Sequence, residues 1–126
     1  MSRVAVITGA AGGIGAGLAR EAVRRGMQVV LADRDLAGVQ AVADGIGAAA
    51  TAVACDVTDP ASCEALAEAA WAAHGQVDLL FNNAGVLSTG FIWEISPETW
   101  QHSLDVNIGG IVNGIRAFVP RLLAAD

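Results

Sequence analysis

A glycine-rich turn between a short apolar segment and an amphipathic helix constrains the fold of this chain more than any other feature of its sequence. Residues 3–7 are Arg-Val-Ala-Val-Ile, an apolar and β-branched run that predicts a buried strand. Apolar residues recur at helical spacing over 18–23, which predicts an amphipathic helix. Between them, residues 8–15 are Thr-Gly-Ala-Ala-Gly-Gly-Ile-Gly. Glycine has no Cβ and tolerates positive φ, so this backbone can come close to a bulky anion.

The start of the helix adds electrostatic attraction to that turn. Its free N–H groups and its dipole favour a phosphate, so the turn predicts the pyrophosphate site of a dinucleotide. Gly9, Gly13 and Gly15 follow the pattern Gly-x-x-x-Gly-x-Gly, and no Gly-Lys-Ser/Thr sequence follows, so the turn is not a P-loop. Taken alone, the octet also fits a flexible loop in a chain rich in glycine and alanine.

The composition excludes several classes of function. The chain has 126 residues, of which 54% are hydrophobic, and this length allows a single domain, 1–126, with a substantial core. The net charge of −6 argues against nucleic acid, which basic side chains bind, and against an anionic membrane surface. No apolar run is long enough to predict a transmembrane span, so the expected location is the cytoplasm.

The cysteines and histidines predict neither a disulfide framework nor a metal site. Cys55 and Cys63 are the two cysteines, which is too few for a secreted disulfide scaffold, so we expect ordinary reduced thiols. His74 and His102 do not form a ligand pattern with them.

The remaining chain alternates strand and helix patterns. Strands are predicted at 3–7, 27–32, 50–55 and 77–81. The helices after the first are predicted at about 35–44, from Pro60 to near Gly75, and from Ser96-Pro97 almost to the C-terminus. Phe91 and Trp93, in the long loop before the last helix, are expected to be buried anchors. Alternation with short connections predicts an α/β fold, a Rossmann-type doubly wound parallel sheet with strand order 3-2-1-4.

Polar residues follow all four predicted strands, and in a parallel sheet these strand ends share one edge. They are the turn 8–15, Asp33, Asp56 and Asn83. Asp33 stands twenty residues after Gly13, where a carboxylate accepts hydrogen bonds from the ribose hydroxyls of NAD and repels the 2′-phosphate of NADP. Arg34 comes next and could pair with that phosphate, so NAD is favoured over NADP without excluding it. The alternative role for Asp33 is a simple helix N-cap.

Four ordered motifs spread along the chain resemble the short-chain dehydrogenase/reductase family. They are Thr8-Gly9-x-x-x-Gly13-Ile14-Gly15, Asp56-Val57, Asn82-Asn83-Ala84-Gly85, and Asn107, which lies twenty-four residues after Asn83. The resemblance implies hydride transfer between NAD(P) and a small alcohol or ketone. It covers the whole chain but only about half of a usual member, and it implies a sheet that stops before the fifth strand at Asp126.

The resemblance also implies a role for each matched residue. It assigns pyrophosphate and adenosine-ribose binding to Gly9, Gly13, Ile14 and Gly15. It places Asp56 and Val57 beside the adenine, and it places Asn83, Ala84 and Gly85 along the cofactor. Asn107 corresponds to the asparagine of the family's catalytic tetrad, which bends its helix and positions a water of the proton relay. The alternative for Asn107 is a buried amide satisfied within a helix pair.

One departure from the family pattern bears directly on catalysis. The family's reaction uses a serine and a Tyr-x-x-x-Lys pair, whereas this sequence contains no tyrosine and its seven basic residues are all arginine. Because acid–base catalysis needs a titrating group within reach, we expect no turnover from these residues alone.

Two further readings remain open for the chain. It could be a non-catalytic NAD-binding or oligomerisation module, or a non-functional remnant. The last helix is apolar on more than one side, and in the resembled family this helix pairs with its symmetry mate, so a homo-oligomer is expected.

Overall fold

The structure, a computed structural model, describes residues 2–125 and consists of four strands and the helices that connect them. The predicted fifth-strand boundary at Asp126 lies outside the described residues. The strands are β1 (Val4–Thr8), β2 (Gln28–Asp33), β3 (Ala50–Ala54) and β4 (Leu79–Phe81). The helices are α1 (Gly13–Arg24), α2 (Leu36–Ile46), α3 (Pro60–His74), α4 (Pro97–Leu104) and α5 (Gly110–Ala124), with a π-helical turn, Asp105–Gly109, between α4 and α5.

The four strands form one parallel sheet in the order β3-β2-β1-β4, which confirms the predicted topology. Ile7 at the centre of the sheet pairs with Leu31 on one side and with Phe81 on the other. Because every strand runs in the same direction, all four carboxyl ends meet at one edge.

The alternation of side chains along β1 and β2 builds a separate core layer on each face of the sheet. Val6 and the other strand residues whose side chains point to the same face of the sheet pack with Leu66 of α3 and Phe118 of α5. Ile7 and the residues that point the other way pack with Val39 of α2 and with the apolar side of α1. Residues 4–7 of β1 and 29–32 of β2 are therefore apolar and buried, as is typical of a parallel sheet covered on both faces.

Local hydrogen bonds fix where three of the helices begin. Side-chain oxygens of Asp35, Asp59 and Ser96 accept backbone N–H groups at the starts of α2, α3 and α4. The predicted starts at Pro60 and Pro97 are confirmed, because each proline occupies the first helical turn.

The boundaries of β4 and of the last helix differ from the prediction. The strand starts at Leu79 rather than at residue 77, and just before it the carboxylate of Asp78 accepts the Val4 N–H at 2.7 Å. The last helix is interrupted by the π-helical turn Asp105–Gly109, which periodicity alone does not reveal.

The prediction that Phe91 and Trp93 are buried anchors is wrong. Their side chains are 61% and 78% exposed, and the two rings stack on each other with centroids 5.0 Å apart and planes 11° from parallel. The reason is that neither core layer includes them, so each ring covers the other instead of entering the core.

None of the helices between residues 2 and 125 combines the length and the apolar character that a membrane crossing requires.

Candidate functional site

A cleft of about 180 Å³ opens at the carboxyl edge of the sheet, where the predicted site residues follow the strands. Seven of the predicted residues share its walls with three that the sequence analysis did not assign. The predicted seven are Gly9, Asp33, Arg34, Asp56, Val57, Ala84 and Gly85. The other three are Cys55, Val86 and Val106.

The glycine-rich turn has a conformation and a packing that side chains would prevent. Gly9 and Gly13 have φ of +66° and +57°, in the left-handed region that favours glycine. A Cβ on Gly9 would lie 2.7 Å from the Cα of Ala84, and a Cβ on Gly15 would overlap the carbonyl oxygen of Gly9. The turn therefore folds closely against the chain that leaves β4.

The first turn of α1 presents backbone N–H groups without a side-chain cap. Its N-cap is Gly12, which has no side chain to accept them, and no acidic residue occupies this turn. Ile14 projects from the same turn and is 77% exposed. Unsatisfied N–H groups and the positive end of the helix dipole together make this helix start attractive to an anion.

The buried hydroxyl of Thr8 ties the glycine-rich turn to the end of β4. It accepts the N–H groups of Asn83 at 3.1 Å and Ala84 at 3.0 Å, and it donates to the carbonyl of Phe81 at 3.3 Å. Sequence analysis missed this role, although Thr8 opens the turn motif. The hydroxyl satisfies backbone groups that a buried apolar side chain would leave without partners.

The amide of Asn83 supports the turn from behind instead of lining the cleft. Its Nδ2 donates to the carbonyl oxygens of Thr8 at 3.1 Å and Gly9 at 3.2 Å. Asn83 therefore holds the backbone that Gly9 and Gly15 shape, while its successors Ala84 and Gly85 face the cleft.

Asp33 bridges two backbone segments at the end of β2. One carboxylate oxygen accepts the Ala11 N–H of the glycine-rich turn at 3.1 Å, and the other accepts the Asp35 N–H at 3.0 Å. The alternative of a simple N-cap is wrong, because Asp35 caps α2. Arg34, next in the chain, is exposed and shares the cleft wall.

Asp56 is held at the opposite wall by a local turn. Its carboxylate accepts the hydroxyl of Thr58 at 2.7 Å and the Thr58 N–H at 3.0 Å. These bonds hold the pKa of Asp56 below its ordinary value, with a smaller contribution from the positive charge of Arg34. The cleft wall therefore carries two carboxylates, Asp33 and Asp56, and the guanidinium of Arg34.

Cys55 adds a thiol to the same wall, and its neighbour Cys63 lies beneath it. Both cysteines are free and buried. Each thiol donates to a backbone carbonyl, Cys55 to Ser62 and Cys63 to Val57, both at 3.7 Å. The interaction between the two thiols lowers the pKa of Cys55, and the same interaction together with burial raises the pKa of Cys63. The position of Cys55 immediately before Asp56, at the end of a predicted strand, is the signal that could have placed it in the site.

Asn107 lies in the π-helical turn and pairs with the loop that leaves the cleft. Its Oδ1 accepts the Val86 N–H at 2.8 Å, and its Nδ2 donates to the Val86 carbonyl at 2.9 Å. The amide is thus satisfied by the loop backbone and not within a helix pair. Asn113, six residues further on in α5, similarly donates to the Val57 carbonyl at 2.8 Å, a contact that sequence analysis missed.

The described part of the chain, residues 2–125, has no group of three or more His, Cys, Asp or Glu side chains arranged to hold a metal ion.

Comparisons with known proteins agree on one family. The family model described as short chain dehydrogenase matches residues 3–126. The 1-deoxy-11-beta-hydroxypentalenate dehydrogenase of Streptomyces arenae is 42% identical, over 97% of this chain and 45% of its own length. Oxidoreductase UcpA of Escherichia coli K12 is 38% identical, over 97% of this chain and 47% of its own length.

Solved structures show the same fold. A short chain dehydrogenase/reductase from Burkholderia phymatum in complex with NAD has a TM-score of 0.95 and 42% identity, covering 98% of this chain and 45% of its own. A metagenomic short-chain oxidoreductase in complex with NADP has a TM-score of 0.90 and 39% identity, covering 99% of this chain and 59% of its own.

The chain spans about half the length of the curated relatives it matches. The ordered motifs, the sheet order and the matched residues all coincide with one family. The chain belongs to the short-chain dehydrogenase family.

Proposed function

We propose that this chain binds a nicotinamide dinucleotide along the carboxyl edge of its sheet, as the cofactor-binding half of an oxidoreductase. The observation that carries the proposal is the packing of the glycine-rich turn, where Gly9 and Gly15 leave no room for a Cβ. That packing sets the bare backbone of Gly9 in the cleft wall, in the turn that leads into α1, and this arrangement suits a pyrophosphate. The named complexes with NAD and NADP in similar structures support the same ligand class.

Different parts of the dinucleotide would bind to the first turn of α1 and to the residues of the cleft. Gly13, Ile14 and Gly15 at the start of α1 would receive the pyrophosphate. Asp33 would accept the adenosine ribose hydroxyls, since each of its carboxylate oxygens retains acceptor capacity beside its present bond.

The ends of β3 and β4 would supply the remaining contacts with the ligand. Asp56 and Val57 at the end of β3 would flank the adenine. Ala84 and Gly85, which follow Asn83, would lie along the nicotinamide half beyond β4.

We favour NAD over NADP on the charge of the ribose site. Asp33 is already fixed by two backbone N–H groups, and its negative charge would repel a 2′-phosphate. Among residues 2–125, Arg34 is the one cationic side chain in the cleft wall, and it is also close enough to Asp56 to influence its pKa.

The chemistry that the cofactor supplies when bound is hydride transfer, and we propose an alcohol or ketone as the other reactant. Asn107 holds the Val86 backbone beside the cleft and would keep that wall in place. The sequence contains no tyrosine or lysine to move the substrate proton, so we expect no turnover from these 126 residues alone.

A cytoplasmic location is supported by the two free cysteines.

The proposal is tested by fluorescence titration of the purified chain with NADH and, in parallel, with NADPH. We expect saturable binding that is tighter for NADH, and about tenfold weaker NADH binding in Asp33→Ala because a charge-assisted bond to the ribose is lost. Asp44→Asn, a change at an exposed residue of α2, is the matched control. Absence of saturable binding by a chain with a folded circular dichroism spectrum would contradict the proposal, and a preference for NADPH would favour Arg34 over Asp33.

A second candidate function is self-association through the outer face of the last helix. Four large apolar residues there are 40–59% exposed: Ile108, Ile111, Val112 and Ile115. Apolar residues clustered on one exposed face favour association over isolated exposure to water.

A further inference from the structure

The helical segment that runs from the π-helical turn into α5 turns one face toward the chain that leaves two of the strands. The residues of this face recur at helical spacing, and none of them is exposed. They are Val106, Asn107, Gly110, Asn113 and Gly114. We call these five residues the inner stripe.

The second half of the inner stripe holds Val57, which follows β3 and lines the cleft. The Nδ2 of Asn113 donates to the Val57 carbonyl at 2.8 Å. The thiol of Cys63 also reaches this carbonyl, at 3.7 Å, but a thiol is the weaker donor. A Cβ on Gly110 would lie 2.7 Å from Cγ2 of Val57, so the helix packs directly against this side chain. One helix therefore fixes both the backbone and the side chain of Val57.

The rest of the inner stripe holds the segment that leaves β4. Asn107 bonds to both backbone groups of Val86, at 2.8 Å and 2.9 Å. A Cβ on Gly114 would overlap the side-chain amide of Asn82, so the helix also lies close to the end of β4 itself. Val106 and Val86 both line the cleft.

The two segments held by the inner stripe belong to opposite sides of the sheet. In the order β3-β2-β1-β4, the strands β3 and β4 are the outermost, and two other strands separate them. The inner stripe contacts the chain beyond both, so it ties the two ends of the cleft to each other. A dinucleotide would contact both ends at once, and walls that are already fixed need not be ordered when the ligand binds.

We propose that Asn113 and Gly110 are positioning residues for the adenine-binding wall, acting through Val57, and that the inner stripe sets the distance of this wall from the end of β4. The proposal rests on the proposed function, because it takes Val57 as part of the adenine site. It adds two residues of α5 that control affinity for the adenine half of the ligand.

The test uses two ligands that we expect to contact different parts of the site, AMP at the adenine wall and pyrophosphate at the start of α1. Heteronuclear NMR titrations of the purified chain measure both affinities. Asn113→Leu keeps the size of the side chain but removes its donor, so AMP binding should weaken about fivefold while pyrophosphate binding stays unchanged. Gln101→Leu, which removes an exposed amide bonded to Asp105 four residues on, is the matched control.

Two adjacent glycines provide a second matched pair. Gly110→Ala introduces a Cβ that must displace Val57, so it should also weaken AMP binding about fivefold. Gly109→Ala places its Cβ 3.8 Å from the Leu104 carbonyl oxygen, an ordinary contact, and should leave both affinities unchanged. This pair changes the packing against Val57 without removing a hydrogen-bond donor.

The outcomes separate this proposal from the cofactor site. If the parent chain binds AMP and NADH, and both Asn113→Leu and Gly110→Ala bind AMP as tightly as the parent does, the positioning role is wrong and the cofactor site stands. Equal loss of AMP and pyrophosphate affinity in these variants, or equal loss of AMP affinity in Gly109→Ala, would show general support of the fold and would also overturn the positioning role.

The parent chain alone tests the cofactor site. A parent chain that binds neither AMP nor NADH overturns both proposals. AMP binding without NADH binding contradicts the dinucleotide site but supports the adenine wall. AMP binding without pyrophosphate binding contradicts the phosphate site at α1, and the comparison of Gly110→Ala with Gly109→Ala then decides the positioning role.

Discussion

At the scale of single residues, the candidate site depends on glycines at positions where a Cβ would collide with neighbouring atoms. A Cβ at Gly15 would overlap the Gly9 carbonyl and lie 2.7 Å from the Asn83 amide nitrogen. A Cβ at Gly9 would meet the backbone of Ala84. The same contacts that forbid side chains hold the turn against β4, so stability and ligand binding are linked at these positions.

We therefore expect Gly15→Ala to lower the free energy of unfolding by about 1–3 kcal/mol, because the backbone must shift to admit the methyl group. NADH affinity should fall with it, since the same shift moves the turn that we propose receives the pyrophosphate. Urea denaturation and the NADH titration measure the two effects.

The control for that variant is Gly17→Ala, two residues further along α1. A Cβ at Gly17 would meet no atom within 4 Å, so alanine should be neutral or should stabilise the helix by about 0.4–1 kcal/mol. Equal destabilisation by both substitutions would show that loss of glycine in the helix, and not the contact with Gly9, is responsible.

At the scale of elements, the π-helical turn and the loop after β4 are joined by one side chain. Asn107 pairs with both backbone groups of Val86, and Val86 lines the cleft. A widened helical turn at this point changes the direction from which the side chain leaves the helix, as is common for π-turns at functional sites.

Asn107→Ala should make exchange of the Val86 amide hydrogen at least tenfold faster, because that N–H loses its acceptor. Hydrogen exchange followed by NMR reads this residue directly. Asn113→Ala, which removes the bond to Val57 instead, should leave exchange at Val86 unchanged. Unaltered exchange in Asn107→Ala would show that the loop is held by other contacts.

The end of α1 provides a prediction about pH. Arg24 and Arg25 donate to the carboxylate of Glu21, and these bonds lower its pKa from 4.5 to about 2. Because the folded-state pKa lies below the ordinary value, the ion pairs stabilise the fold above pH 4.5, and this contribution is lost as pH falls from 4.5 through 2.

Glu21→Gln should therefore lower Tm slightly at pH 7, and the difference from the parent chain should vanish near pH 2. The effect should be small and should shrink in salt, since these pairs are exposed to solvent. Glu68→Gln, at an exposed residue of α3, is the control for loss of a charge. A difference in Tm that grows toward low pH would have the wrong sign.

At the scale of the whole molecule, two core layers leave one helical face uncovered. Phe118 and Ala117 of α5 are buried against α3, whereas Ile111 and Ile115 of the same helix are 40% and 45% exposed. In water, such a face is most readily covered by another apolar face, and a second copy of the chain provides one.

We expect size-exclusion chromatography with light scattering to show a dimer or larger oligomer for the parent chain. Ile115→Glu should shift the mass toward the monomer, because a carboxylate would be desolvated at the interface. Leu36→Glu, at an exposed residue of α2, should leave the mass unchanged. A monomer at all concentrations would exclude self-association through this face.

The elements of the fold were predictable because their signals are local. Each strand is a short apolar run, the helix starts carry Asp59-Pro60 and Ser96-Pro97, and β-α alternation allows few topologies. Parallel topology also explains why Asp33, Asp56 and Ala84 reach one cleft, since the direction of the strands brings their carboxyl ends to one edge.

The sequence by itself thus determined the order of the strands, the glycine-rich turn and the residues at the strand ends. Only the tertiary structure decided which groups meet: the Thr8 hydroxyl with the β4 backbone, the Asn107 amide with Val86, and the stacked Phe91 and Trp93 outside the core. The physical reason is the distance along the chain over which each kind of interaction acts. Propensity, capping and periodicity act over a few residues, whereas these contacts join positions far apart in the chain or depend on which neighbours leave room for a side chain.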